Sequence, residues 1–583
     1  MSTRQSTLAI VSVVSIAMSA AVVAAVRRPS QTPQSQPPQF RMRTTVVPID
    51  VRVLDRNGKP VTDLTAADFT VTENGVPQKI DFFAPQALSP TAPGADVTVR
   101  PTEVSTAPLA PANRRLFLIY LGRGRLQEPS KGVDATLRFV KERLLPQDLV
   151  AVMAWNRATD FSSDHTRATA VIERFKAMHE EIEHEVGLYF SGLFGLYAGI
   201  EVPPHVQTLI DRVFDTSADA TTRKVLPVGT LRPVERDVTN ALNAALMRAD
   251  NDAWRYFNFT ETAMARGMFD PTLNMSFGDY IVLNRQTMQD VGNLYVGIDF
   301  LRFIEGEKHL IFVTEQGFML PRTEYERDLG SLASDARVAI DTIQTGGVAA
   351  AQSADGTVTV SNGFALRALR EVSDISGGQS SVSKSAEIAY DRILNSTEYG
   401  YLLAYSSTDP KADGRMRNIK VTVNRKNVTV AHRRAYAARP DSGTYDPRES
   451  LATTRLVSAT SYGQEINDLK MSTKLLDVKE GKEHVVNVEV TVDGSRVRLA
   501  RKGADYIAAL NFVVYCGDYY QKPIGELWEA KDIIVPASRF EEIKRTGLTV
   551  TLRVPVKQPP VYVKVIAYDY GSDLLGSQMK RMR

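Results

Sequence analysis

The sequence predicts an α/β protein: a mostly parallel sheet with helices on both faces, flanked by N- and C-terminal β-sandwich-like modules. Two observations carry this. Between residues 113 and 440, near-continuous apolar runs such as LFLIYL and DLVAVMAW alternate with segments of helical spacing. Strands of that kind belong to parallel sheets buried on both faces. On either side of this region apolar and polar residues alternate as in antiparallel sheets, and on the amino-terminal side Asn-Gly turns recur.

The chain has 583 residues, enough for several domains. Its net charge of +3 is too small to argue for a nucleic-acid partner. Leu8 to Val26 is apolar and small, with Arg4 before it, and reads as a secretory signal peptide with cleavage after Ala24 or Ala25. The competing reading is an uncleaved membrane anchor, with Arg27 and Arg28 behind it. Either way the sequence predicts an exported protein: periplasmic, cell-surface or extracellular. Membrane contact follows only from the uncleaved form. The single cysteine, Cys516, excludes an intrachain disulfide and lies in the apolar run 512–516, so burial is expected.

In order, residues 1–28 read as the signal peptide or anchor and 29–41 as a Pro- and Gln-rich linker. Residues 42–85 form the first β module, with hairpin turns at Asn57-Gly58 and Asn74-Gly75. A linker follows over 86–112. The α/β domain with a β extension spans 113–440 and contains a helical insertion at 176–289. Within it, strands are expected at 116–121 and 148–155, a strand with a turn in EGEKHLIFVTEQG over 305–317, a strand-like segment at 335–343 and a last strand at 399–405. Helices are expected at 133–145, 168–175, 294–304, 364–375 and 386–395, and a further one at 238–257 inside the insertion. Residues 441–454 are a linker, and 455–583 form the second β module.

The order of these pieces resembles the bacterial von Willebrand factor A-related family, the VWFA-related acidobacterial domain proteins. The resemblance rests on VVPIDVRVLDRNGKPVTDLTAADFTVTENGVPQKI, RRLFLIYL, PQDLVAVMAWN, GIDFLRFIEGEKHLIFVTEQG, LREVSDISGGQS and EYGYLLAYSSTDPKADGRMRNIKVTVNRKNVTVAHRRAYAA. It covers 44 to 438, interrupted by the insertion. It implies a Rossmann-like von Willebrand A domain flanked by β modules in an exported protein.

Metal-binding domains of this kind carry Asp-x-Ser-x-Ser after the first strand, because a hard divalent cation needs clustered oxygen ligands. Matched by position, the resemblance puts Leu121 at the aspartate and Arg123 and Arg125 at the two serines. A guanidinium cannot coordinate a metal. Glu315 matches a later aspartate and Thr287 is a candidate for the threonine. This set is expected to hold no metal and no cofactor. Two readings of the arginines stay open. In one, Arg123 and Arg125 are a solvated loop, one of them paired to Glu315 or Glu128. In the other, Arg123, Arg125 and Glu315 form a partner-contact loop whose guanidinium groups capture an acidic side chain of a protein partner.

No catalytic motif stands out. HEEIEHE, from His179 to Glu185, lacks the i, i+4 histidine spacing of a zinc helix and reads as a solvated charged helix. No Gly-x-Ser-x-Gly occurs, and Gly346-Gly347 and Gly377-Gly378 read as turns and caps. The leading expectation is a non-enzymatic protein–protein interaction or adhesion-type protein. The alternatives are an enzyme or small-ligand-binding protein with its site in the 176–289 insertion, or a membrane-anchored envelope assembly factor.

Overall fold

A computed structural model describes residues 46–91, 114–189 except 125 and 127, 204–214, 277–315 except 303 and 305, 324–346, 350–352, 358–438 except 361, 362, 383, 384, 410 and 412, scattered positions between 452 and 460, and 465–582 except 481, 482 and 520–522. The signal peptide or anchor, the first linker, the helix expected at 238–257 and Arg125 lie outside the described residues. Among the described residues no helix is long and apolar enough to cross a membrane. The fold is mixed α/β with several sheets.

The central sheet has six strands. In chain order they are Arg115–Leu121, Leu149–Ala154, Arg157–Ala158, Glu307–Thr314, Val338–Gln344 and Ser380–Val382. Arg115–Leu121 is in the middle, parallel to Leu149–Ala154 on one side and to Glu307–Thr314 on the other. Val338–Gln344 and Ser380–Val382 continue the parallel run. The short Arg157–Ala158 strand closes the other edge antiparallel.

The middle strand is buried along its whole length because both of its faces are covered. Leu116, Leu118 and Tyr120 point to a core shared with helices Phe277–Arg302, Glu324–Asp335 and Gly363–Ser376. Phe117, Ile119 and Leu121 point to the opposite core, made with Lys131–Arg138, His165–Tyr189, Pro204–Phe214 and Ala386–Thr397. The period-2 alternation of a strand thus serves two helical layers. The helix expected at 168–175 runs from His165 to Tyr189, past the expected start of the insertion, because Ile172, Phe175, His179, Ile182 and Val186 continue one buried stripe. The helix expected at 294–304 likewise begins earlier, at Phe277.

The first β module corrects the expected domain boundaries. Val46–Leu54 and Ile80–Ala87 both pair with Tyr399–Ser406, and Thr429–His432 completes that four-stranded sheet. Phe69–Glu73 and Val76–Gln78 join Met416–Val423 and Ala435–Ala437 in a second four-stranded sheet. The expected module at 42–85 and the expected β extension are therefore one two-sheet unit. Its core holds Ile49, Val51, Phe69, Val71, Leu403 and Val421. Polar pins join the halves: Tyr405 and Tyr436 donate to Glu73 Oε2 at 2.6 and 2.9 Å, and Ser407 to Oε1 at 2.8 Å. Buried carboxylates need such donors.

The carboxy-terminal strands form a three-stranded and a six-stranded sheet around one core. Cys516 is free and buried in it. This unit is joined to the α/β domain through the helix Pro204–Phe214. Arg157 and Arg455 both reach Asp211, Arg455 Nη2 at 3.5 Å, and Thr208 Oγ1 donates to Asp468 Oδ1 at 2.8 Å. Arg157 Nη2 also lies 3.5 Å from Asp573.

Candidate functional site

The loop Gly122-Arg123-Gly124 leaves the carboxyl end of the middle strand, the side of a parallel sheet where sites are usually built. Gly122 packs so closely under the neighbouring strand that a Cβ there would lie 2.8 Å from the Phe312 ring and 3.1 Å from the Val313 carbonyl. Gly124 takes a φ of 97°, which favours glycine. Both glycines are thus required by the path of the loop, and that path turns the side chain of Arg123 inward.

Arg123 is only 3% exposed. Its Nε lies 2.5 Å from Glu183 Oε1 and its Nη2 donates to Oε2 at 3.0 Å, a bidentate pair. Glu183 also accepts from Trp155 Nε1 at 2.9 Å, from Gln286 Nε2 at 3.1 Å and from the Gly124 N–H at 3.3 Å. Burial pushes the Glu183 carboxyl up, but the Arg123 charge and these hydrogen bonds outweigh it and hold the group at about 2.

A second carboxylate lies behind the loop. Asp290 Oδ1 accepts from the Tyr120 hydroxyl at 2.6 Å and from the Arg123 N–H at 3.0 Å, and Asn293 donates to Tyr120 at 2.9 Å. Here burial dominates, and the carboxyl is raised to about 7 although Tyr120 and Arg123 pull it down. His179 shares a hydrogen bond of 2.6 Å with the Gly124 carbonyl through Nε2, which therefore carries the proton. Burial lowers the His179 pKa, so the ring is neutral at pH 7, and it stacks on Trp155.

These positions correct several expectations. Arg123 is neither solvated nor free to capture a partner's acid, and it pairs with neither Glu315 nor Glu128. Bidentate pairing with Glu183 keeps it inside. HEEIEHE is a charged helical segment solvated on one face only: Glu180, Glu181 and His184 are exposed, but His179 is fully buried and Glu183 nearly so, and Glu180 accepts the Leu126 N–H at 3.0 Å. Glu315 is half-buried at the end of Glu307–Thr314, its carbonyl accepting from Gln344 at 2.8 Å. Thr287 is buried on the Phe277–Arg302 helix, one turn before Asp290. Arg125 lies outside the described residues.

Glu183, His179, Trp155 and Asp290 were missed as site residues. The sequence carried one signal for them: His179 and Glu183 continue the apolar stripe of Ile172 and Phe175 at helical spacing. Among the described residues no group of three or more His, Cys, Asp or Glu is placed to hold a metal ion. Glu183 is already committed to a guanidinium, and Leu121, where an aspartate ligand would be expected, is a buried core residue. This donor set does not fit a divalent cation.

In comparisons with known proteins, no family model and no curated sequence matches this chain.

Proposed function

We propose that this chain is an exported, non-enzymatic interaction protein whose central domain is a von Willebrand A-like, Rossmann-like domain working without a metal ion, flanked by β-sandwich-like modules. The strand order supports the architecture: the first strand is in the middle, the second and a short antiparallel third lie to one side, and the fourth to sixth lie to the other. The single observation that carries the metal-free reading is the Arg123–Glu183 pair. A fixed internal cation stands at the loop where an ion would otherwise gather oxygen ligands.

In this reading Arg123 is a positioning residue. It fixes the loop at the carboxyl face, where Glu315 ends a neighbouring strand, and Glu315 together with Arg125, the residue after Gly124 in sequence, is the candidate contact to a protein partner. Capture from the native bacterial envelope tests this with the full chain, a Glu315→Lys/Arg125→Glu variant, and each in the presence of EDTA. The expected result is a partner retained by the wild type, lost with the double variant and unaffected by EDTA. Capture that EDTA abolishes overturns the reading.

A further inference from the structure

The carboxy-terminal unit has an open sheet edge with an unusual charge order. Pro523–Val535 pairs along one side with Asp505–Gly517, and among the described residues its backbone pairs with no other strand. At its start it is covered: Ile524 accepts from the Lys557 N–H at 3.2 Å, and a Cβ on Gly525 would lie 2.5 Å from the Pro555 carbonyl. From Glu526 to Ile534 no residue is buried. Trp528 and Ile534 on the outer face are 43% and 62% exposed.

On the face toward the core the sequence reads Leu527, Glu529, Lys531, Ile533. Leu527 and Ile533 pack against the core, and Lys531 Nζ lies 2.6 Å from Glu529 Oε1. Charges on the inward face of an edge strand oppose pairing with most other strands. This set has one exception built in, because it is the same read from either end: apolar, charged, oppositely charged, apolar.

We propose that this edge is a self-pairing surface, and that its partner is the same edge of a second copy, added antiparallel about a two-fold axis at Ala530. In that register Glu529 faces Lys531 of the second copy and Lys531 faces its Glu529. Leu527 faces Ile533, and Glu526 faces Ile534. The axis falls at the midpoint of the open stretch, so the whole free edge is used and the covered start is not. Ala530 at the axis has a side chain small enough for the strands to meet. Sliding by two residues puts Glu529 opposite itself or Lys531 opposite itself, and sliding by one turns the faces over. One register alone satisfies both charges.

Sedimentation velocity on the full chain across a concentration series tests this. The wild type is expected to dimerise. Lys531→Glu and Glu529→Lys each place like charges opposite one another twice, and each is expected to weaken the dimer by about tenfold or more. Mixing the two variants restores both charge pairs, so a heterodimer of wild-type strength is expected. The double exchange Glu529→Lys/Lys531→Glu is expected to restore the homodimer and controls for folding. A wild type that stays monomeric overturns the proposal. So do single variants that dimerise normally, or folded single variants that fail to dimerise on mixing.

Discussion

Arg123 Nε lies 2.5 Å from Glu183 Oε1 across 60 residues of sequence, with both side chains almost wholly out of water. Breaking a buried pair leaves the other charge uncompensated, which costs about 3–5 kcal/mol. Arg123→Ala and Glu183→Ala are each expected to destabilise by that amount in denaturant unfolding. Arg123→Ala with Glu183→Ala should cost clearly less than the sum of the two single changes. Simple additivity would mean that the pair is not coupled.

Asp290 should make stability fall with rising pH. Its folded pKa, about 7, is above the ordinary 3.8 of an aspartate. The stability contributed by the neutral carboxyl is fully present below the ordinary value and is lost as pH rises through about 7. Asp290→Asn keeps an acceptor for Tyr120 and Arg123 and cannot ionise. Calorimetric Tm measured across that range should drop less in the variant than in the wild type. Equal slopes would remove Asp290 as the cause.

Glu183 acts at the other end of the scale. Its carboxyl is held down at about 2, against an ordinary 4.5. The stability of the ionised form is present above the ordinary value and is lost as pH falls toward about 2. Acid unfolding should therefore begin at higher pH in Arg123→Ala, where the main force holding Glu183 ionised is gone. An unchanged acid midpoint would contradict this.

The join between the α/β domain and the carboxy-terminal unit rests on Arg157, Asp211 and Arg455. Arg455 is 4% exposed and also donates to the Asp573 carbonyl. Arg455→Ala should leave each unit folded but loosen the join. Calorimetry should show two resolved transitions, and limited proteolysis should cut between the units faster. One cooperative transition at the wild-type rate of cleavage would count against this assignment.

Divalent cations should leave the protein unchanged. Mg²⁺ or EDTA is expected to shift Tm by less than the scatter of repeat scans, since binding to the folded state alone would raise it. A Tm that rises with Mg²⁺ concentration would point to a cation site.

The parallel strands were legible because burial on both faces leaves continuous apolar runs, as in 116–121 and 149–154. Tyr399–Ser406 looks the same by composition, yet it joins the first β module. Its sheet is set by pairing with Val46–Val51, and such distant pairing leaves no mark within either segment. The site was legible only in outline. GRGR signalled an unusual loop, but the direction of Arg123 depends on Glu183, and composition makes HEEIEHE read as solvated. Helical spacing, carried past Phe175, would have placed His179 on the buried stripe.

The first β module also imposes a timetable. The Leu64 N–H is bonded to the hydroxyl of Tyr401, 337 residues later. During synthesis, Val46–Ala87 emerges long before the strands that complete both of its sheets. For that interval Val46–Leu54 and Ile80–Ala87 lack their partner Tyr399–Ser406, and only Phe69–Glu73 has a partner at hand, Val76–Gln78; long delays of this kind expose a chain to wrong partners. The α/β domain has all of its central-sheet strands by Val382, and the last helix of its core, Ala386–Thr397, also precedes Tyr399. Tyr399 pairs with Ala87, so the strands that close the module emerge only after every strand of the central sheet.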